Sequence, residues 1–188
     1  MKKINKLSIF VLLILNIYFL IKYIINFNAT RVVICLFLPI LIFLPAIFKN
    51  KLNSKLEFMY YIYLLLLLVL GCLARFYSIF KYYDLFTHFI FGIASSVIGL
   101  YILKKFDMNN KNKLIFNVIF MIFTTLSIAT FWEIFEFAAS IITEDDIQHV
   151  IDTGINDTMK DIISSLFCSI IFSIIYYFKQ NKIEQLIE

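Results

Sequence analysis

The N-terminal stretch MKKINKLSIFVLLILNIYFLIKYII (residues 1–25) indicates the class of the fold. Three lysines precede a largely apolar run from Leu7 to Ile25, an order that is also typical of a signal peptide. However, the run is longer than the roughly 7–15 residues of a signal-peptide core, and no small-residue cleavage pattern follows it. A helix of this length can cross the ~30 Å hydrocarbon core of a bilayer. The stretch therefore predicts a first membrane span.

The composition of the whole chain supports a membrane protein. Hydrophobic residues make up 62% of the 188 residues and aromatic residues 18%. A soluble domain of this length has too much surface to hide so much apolar area from water. Further runs long enough to span a bilayer follow the first one. The six runs cover residues 7–25, 31–48, 57–76, 85–103, 114–142 and 161–178.

The fold class predicted from these runs is an all-α membrane protein, a six-helix transmembrane bundle forming a single domain over residues 1–188. Pro39 and Pro45 lie inside the second run and predict a kinked or partly broken helix there. The connections between runs are too short to hold a soluble domain. Cys35, Cys72 and Cys168 lie inside apolar runs without CxxC spacing, so we interpret them as packing residues.

The basic residues predict the orientation of the spans. Lysine and arginine alternate in density from one connection to the next, and twelve of the 17 fall on one side of the predicted membrane. The positive-inside rule then places both termini in the cytoplasm of a multi-pass protein in the cell membrane. The lysines fall in short clusters instead of one basic face, so no nucleic-acid partner is expected. The twelve are Lys2, Lys3, Lys6, Lys49, Lys51, Lys55, Lys104, Lys105, Lys111, Lys113, Lys179 and Lys182.

Ionisable residues of the last three spans are predicted to lie at one depth. A rise of ~1.5 Å per residue from the cytoplasmic ends places His88 about 24 Å up and Asp161 about 27 Å up. The same count gives roughly 30 Å for Glu133 and 34 Å for Glu136. A charged group inside a membrane is costly, so these side chains need a shared polar environment. We therefore expect them to meet near the outer membrane boundary.

Helical periodicity predicts that each of these spans has one polar and small-residue face. Such residues are common where membrane helices approach closely, so the three faces are expected to pack together. The face of the fourth span holds Asp84, His88, Gly92, Ser95 and Gly99; that of the fifth holds Ala129, Thr130, Glu133, Glu136 and Ser140; that of the sixth holds Asp157, Asp161, Ser164, Ser165 and Cys168.

Several carboxylates in one pocket require a counter-charge, which protons, a metal ion or nearby basic side chains could supply. One imidazole among carboxylate oxygens suits Mg²⁺, Mn²⁺, Ca²⁺ or Zn²⁺. His88, Glu133 and Glu136 are the candidate catalytic residues, and Arg75 and Trp132 the candidate substrate-binding residues. The candidate ligands of a divalent cation are Asp84, His88, Glu133, Glu136, Asp157 and Asp161.

Three functions remain open at this point. The first is cation-dependent chemistry on a lipid-linked or envelope substrate at the outer membrane boundary. The second is a non-enzymatic role in membrane assembly or stress tolerance, in which the polar pocket only fixes helix packing. The third is a proton- or cation-coupled transporter, although the sequence has no visible inverted repeat. No oligomeric state follows from the sequence.

Three short motifs resemble a known family. YDLFTHFIFG (83–92), FWEIFE (131–136) and DTGINDTMKDII (152–163) resemble the YjdF-like family of bacterial inner-membrane proteins, a domain of unknown function. The resemblance covers about residues 55–178 and includes Thr158 beside the acidic positions. A more distant likeness is to VanZ-like proteins. Both resemblances imply a polytopic membrane protein and support the site, but neither implies a reaction.

Overall fold

The computed structural model describes residues 2–47, 53–108, 114–143 and 154–187. Within these ranges the chain is helical, and no strand is present. Six helices are long and apolar enough to cross a membrane, which confirms the predicted all-α fold class with six spans. Lys49, Lys51, Lys111 and Lys113, used above to predict the orientation, lie outside the described residues.

The helices extend beyond most of the apolar runs. We number them α1 to α7 in chain order; the third span continues from α3 as a π-helical segment, and α4 is a single short turn. The bounds are α1 Lys2–Ile25, α2 Ala29–Ile47, α3 Ser54–Leu64, π-helix Leu65–Leu73, α4 Phe76–Ile79, α5 Tyr83–Lys105, α6 Leu114–Thr143 and α7 Asn156–Ile187.

The chain divides into two compact units, the first formed by residues 1–83 with 186–188 and the second by residues 84–185. The first unit contains α1 to α4 and the π-helical segment. Its core consists of apolar side chains, with Leu12, Leu38, Ile42 and Leu73 almost completely buried. Many of its exposed side chains are also apolar, as expected of helices solvated by lipid.

Helix α2 is continuous across its prolines, so the predicted partial break is absent, and the predicted alternative of a kink stays a prediction. It is α-helical from Ala29 to Ile47 with Pro39 and Pro45 inside it. Proline has no N–H, so Pro45 cannot donate to the carbonyl oxygen of Leu41 four residues earlier. The hydroxyl group of Tyr60 in α3 donates to that oxygen instead, at 2.8 Å. A neighbouring helix thus supplies the bond that proline removes, as membrane helices require.

The second unit contains α5, α6 and α7, and glycines allow these helices to approach closely. A Cβ atom on Gly92 of α5 would lie 2.1 Å from the carbonyl oxygen of Ser165 in α7. A Cβ atom on Gly99 would lie 3.1 Å from the Cβ of Thr124 in α6. The small-residue face predicted for α5 therefore packs against both neighbouring helices of this unit.

Candidate functional site

The second unit brings six ionisable side chains together, which we call the acidic cluster. Helix α5 contributes two residues near its N-terminus, α7 two in its first two turns, and α6 two that precede its last turns. The members of the acidic cluster are Asp84, His88, Glu133, Glu136, Asp157 and Asp161.

His88 has the largest number of acidic neighbours at short distance. Its Nε2 atom lies 3.6 Å from Oδ1 of Asp84 and 4.0 Å from Oε1 of Glu133. The imidazole is buried, with 5% of the residue exposed, and Glu133 is 4% exposed. Nδ1 of His88 has no hydrogen-bond partner in the described part of the chain, so Nε2 is the nitrogen that faces the acidic groups.

Asp161 completes a possible ligand set for a cation. One oxygen of Asp84, one nitrogen of His88 and one oxygen of Asp161 all lie within 4.8 Å of one another. Asp161 is only 4% exposed, whereas 32% of the Asp84 side chain is accessible. Groups from α5 and α7 therefore surround a common point, and Asp84 lies on its accessible side.

Glu136 is held by a neighbour on its own helix. Nε1 of Trp132 donates a 2.8 Å hydrogen bond to Oε1 of Glu136, one helical turn away. The indole ring also packs against Phe91 of α5 and Phe135 of α6, with ring centroids 6.4 and 5.5 Å apart. Trp132 is half-buried, so its N–H and much of its ring are already engaged within the protein. This arrangement makes it a positioning residue for Glu136.

The carboxyl groups of the acidic cluster also interact electrostatically with one another. Asp161 interacts electrostatically with the carboxyl groups of Asp84, Asp157, Glu133 and Glu136. Asp84 and Asp157 each lie in the first turn of a helix, where the helix dipole favours negative charge. The structure thus places three of the six predicted cation ligands, Asp84, His88 and Asp161, within 4.8 Å of one another, with Glu133 beside His88. Glu136 and Asp157 interact with this group electrostatically, and the cation-binding role of all six residues stays a prediction.

Arg75 belongs to the first unit. It precedes α4 with a left-handed backbone (φ 65°), and its side chain is exposed. Its part in substrate binding stays a prediction, as does that of Trp132. The acidic run at 144–146 and His149, which belong to the predicted outer loop, lie outside the described residues.

A second group of polar residues in this unit was missed by the sequence analysis. Asn117, Thr125, Ser169, Ser173 and Tyr176 are completely or almost completely buried. A signal was present, because Asp161, Ser165, Ser169 and Ser173 recur every four residues and so share one face of α7. The face predicted for this helix ended at Cys168 and so did not include Ser169 or Ser173.

These observations define the class of the protein: a polytopic helical membrane protein with ionisable groups buried between three of its helices. The chain belongs to the DUF2238 family of predicted membrane proteins, whose family model matches residues 7–182. The YjdF-like resemblance is thereby confirmed, because YjdF is a member of that family. The VanZ-like resemblance stays a prediction. No curated protein and no solved structure matches the chain.

Proposed function

We propose that the acidic cluster binds a divalent cation and uses it in chemistry on a lipid-linked or envelope substrate. The observation that carries this proposal is the convergence of Asp84, His88 and Asp161, whose ligand atoms lie within 4.8 Å of one another. Two of these residues are buried between membrane helices, where an acidic group needs compensation by a positive charge. A divalent cation supplies that charge in the smallest volume.

The donor set favours particular metals. Carboxylate oxygens suit Mg²⁺, Ca²⁺ and Mn²⁺, and an imidazole nitrogen suits Zn²⁺ and other transition metals. A mixed set of one imidazole and several carboxylates therefore fits Mn²⁺ or Zn²⁺ best. In this proposal Asp84, His88 and Asp161 hold the ion, Glu133 supports it from beside His88, and the carboxylate of Glu136 contributes to its binding through its charge within the same acidic cluster.

Glu136 is the residue best placed to act on a substrate. It is half-buried, whereas Glu133 and Asp161 are almost inaccessible. Trp132 fixes its carboxyl group through a hydrogen bond, which is how a general acid or base is held in position. The side chain of Phe135, the residue before Glu136, is 60% exposed, so the surface of α6 next to Glu136 is apolar and suits a lipid-linked substrate.

The predicted orientation completes the proposal. With both termini in the cytoplasm, the acidic cluster opens on the outer side of the cell membrane. Support comes from the sequence, through the distribution of lysine and arginine among the connections. Cysteine labelling tests this orientation. Single cysteines are introduced near residue 84 and near residue 106, and whole cells are treated with a membrane-impermeant thiol reagent. Labelling near residue 106 and not near residue 84 would contradict this orientation.

The metal content of the purified protein tests cation binding. We expect wild type in detergent to retain a divalent metal that the Glu133→Gln, Asp161→Asn double variant loses. Asp107→Asn is the matched control, because Asp107 is an exposed acidic residue outside the cluster and asparagine tolerates its left-handed backbone (φ 54°). If wild type carries no more metal than the double variant, the metal proposal is wrong.

Analysis of the cell's membrane lipids tests whether the substrate is lipid-linked. A strain that lacks the protein and a strain that carries Glu136→Gln should both accumulate the same lipid-linked compound. The Asp107→Asn strain should show the wild-type lipid profile. Identical lipid extracts from all four strains would contradict the assignment of a lipid-linked substrate.

A further inference from the structure

The interior of the second unit contains most of the buried polar side chains in the described part of the chain. Among the described residues, 13 polar or charged residues are buried, and eleven of them belong to this unit. Inside a membrane such residues either join helices or line a route for ions or protons. The eleven are Thr87, His88, Ser95, Ser96, Asn117, Thr125, Glu133, Asp161, Ser165, Ser169 and Ser173.

These side chains extend along the helices instead of gathering at one depth. On α7 they begin at Asp161 and continue with Ser165, Ser169 and Ser173, all at most 4% exposed. The completely buried Tyr176 follows, about 22 Å of helix from Asp161. We call this set, with Ser95, Ser96 and Thr125, the polar core.

Hydrogen bonds connect much of the polar core across the three helices. The Oγ atom of Ser96 in α5 lies 2.7 Å from Oγ of Ser169 in α7 and 3.2 Å from Oγ1 of Thr125 in α6. One turn away, Ser165 donates to the carbonyl oxygen of His88 at 2.9 Å. We call Ser165, Ser169 and Ser173 the serine line. It is hydrogen-bonded to α5 next to the acidic cluster and again at Ser96.

The far end of the polar core carries its own carboxylate. The hydroxyl group of Tyr176 accepts a 3.3 Å hydrogen bond from Asn117 and donates a 2.9 Å bond to Oε1 of Glu184. Gln180 donates to the same oxygen at 2.7 Å. The Tyr176 hydroxyl group therefore links Asn117 of α6 to Glu184, which is partly accessible, on the same helix as the serine line.

Two hydroxyl groups are not explained by helix packing. Ser95 and Ser173 are completely buried, and their Oγ atoms have no hydrogen-bond partner in the ranges that the structure describes. Alanine would fill the same space without leaving a buried polar group unpaired, which is unfavourable. Internal water is the small molecule that bonds such groups in protein interiors. These two positions therefore favour a small ligand, and water is the ligand that we infer.

We propose that the polar core of the second unit is a hydrated path for protons along its hydroxyl groups, from Ser165 beside the acidic cluster to the Tyr176–Glu184 pair. A hydroxyl group or a water molecule can accept one proton and donate another, so a row of them passes protons by exchanging hydrogen bonds. A proton that enters at one end is matched by one that leaves at the other, and no other bond changes. The path goes beyond the proposed cation chemistry and does not require it.

Proton flux into liposomes that contain the purified protein tests the path. The flux is measured with an enclosed pH-sensitive dye after a potassium diffusion potential is imposed. Ser173→Ala removes a hydroxyl group without a protein hydrogen bond, so helix packing should not suffer. We expect about tenfold slower flux, because one hydrogen bond to the moving proton is lost. Ser127→Ala, at an exposed position of α6, is the control and should conduct like wild type.

Wild-type flux equal to that of empty liposomes would overturn the path, and so would equal flux in wild type and Ser173→Ala. Slower flux in Ser173→Ala with an unchanged melting temperature supports it. Metal content is determined on the same preparations. Because Ser173 lies well away from the acidic cluster along α7, Ser173→Ala should retain the metal, which separates failure of the path from failure of the cation proposal.

Two native cysteines provide an independent measurement of hydration, which decides the matter if Ser173→Ala is unstable. Cys168 lies next to Ser169 and is 2% exposed, and Cys35 lies in the apolar core of the first unit and is 1% exposed. Burial alone predicts equal, slow reaction of both thiols with a small cationic thiol reagent. A hydrated polar core predicts that Cys168 reacts faster than Cys35, each measured with the other two cysteines replaced by serine. Equal rates would overturn the path.

Discussion

The hydroxyl group of Ser165 in α7 donates a 2.9 Å hydrogen bond to the main-chain carbonyl oxygen of His88 in α5. Ser165 is completely buried and follows Asp161 by one helical turn. The bond therefore fixes the height of Asp161 relative to the His88 imidazole, and with it the spacing of the acidic cluster. Positions of ligands on rigid helices are defined in this way by contacts outside the ligand set.

Ser165→Ala should lower the free energy of unfolding by about 1 kcal/mol, because one buried interhelical hydrogen bond is lost. Denaturant unfolding in detergent measures the change. Ser127→Ala, which replaces an exposed serine, should leave the stability within about 0.5 kcal/mol of wild type. Equal stability of the two variants would show that the Ser165 bond does not support the helix pair.

Gly92→Ala should destabilise the protein more than Gly99→Ala. The new Cβ at residue 92 would lie 2.1 Å from the Ser165 carbonyl oxygen, a main-chain atom that cannot move without shifting α7. At residue 99 the nearest atom would be 3.1 Å away, on the side chain of Thr124. We expect about 3 kcal/mol for the first change and about 1 kcal/mol for the second. Thermal unfolding ranks the two, and the reverse order would contradict the close contact of α5 and α7.

Tyr60→Phe should destabilise the protein by about 1–3 kcal/mol, because it leaves the Leu41 carbonyl oxygen without a donor. The cause can be isolated with Pro45→Ala, which restores the main-chain N–H that α2 lacks at this point. In the Pro45→Ala background, Tyr60→Phe should cost much less. A double-mutant cycle measured by thermal unfolding gives the coupling, and additive effects would mean that the tyrosine does not replace the proline N–H.

Trp132→Phe should weaken cation binding while changing stability little. Phenylalanine retains aromatic contact with Phe91 and Phe135 but cannot donate a hydrogen bond to Glu136. Loss of a residue that positions a metal site costs about 10–100-fold in affinity. Equilibrium dialysis with Mn²⁺ measures the affinity. If Trp132→Phe binds as tightly as wild type, Glu136 and its hydrogen bond lie outside the cation site.

The sequence predicted the number of spans and the faces of the last three because both depend on local patterns. Length and hydropathy identify a span, and a periodicity of 3.6 residues identifies its face. His88, Glu133 and Asp161 stood out because an ionisable residue inside an apolar run is costly and needs an explanation. That His88 lies 4.0 Å from Glu133 and within 4.8 Å of Asp161 depends on helix packing, which the sequence indicated only through the small-residue faces.

The misses arose where the answer depends on another helix. Pro45 predicts a kink or a partial break in α2 when that helix is considered alone, and the Tyr60 hydroxyl group that bonds the Leu41 carbonyl oxygen comes from a different span. Ser169 and Ser173 are ordinary residues in a membrane helix until their burial is known.

The fluorescence of Trp132 during titration with Mn²⁺ tests the central claim most directly. Trp132 is the single tryptophan of the chain and is bonded to Glu136, so a paramagnetic ion bound in the acidic cluster should quench it. We predict saturable quenching in wild type and in Asp107→Asn, and its loss in Asp161→Asn. Weak quenching that rises linearly with Mn²⁺, with the same slope in wild type and Asp161→Asn, would contradict a cation site at the acidic cluster.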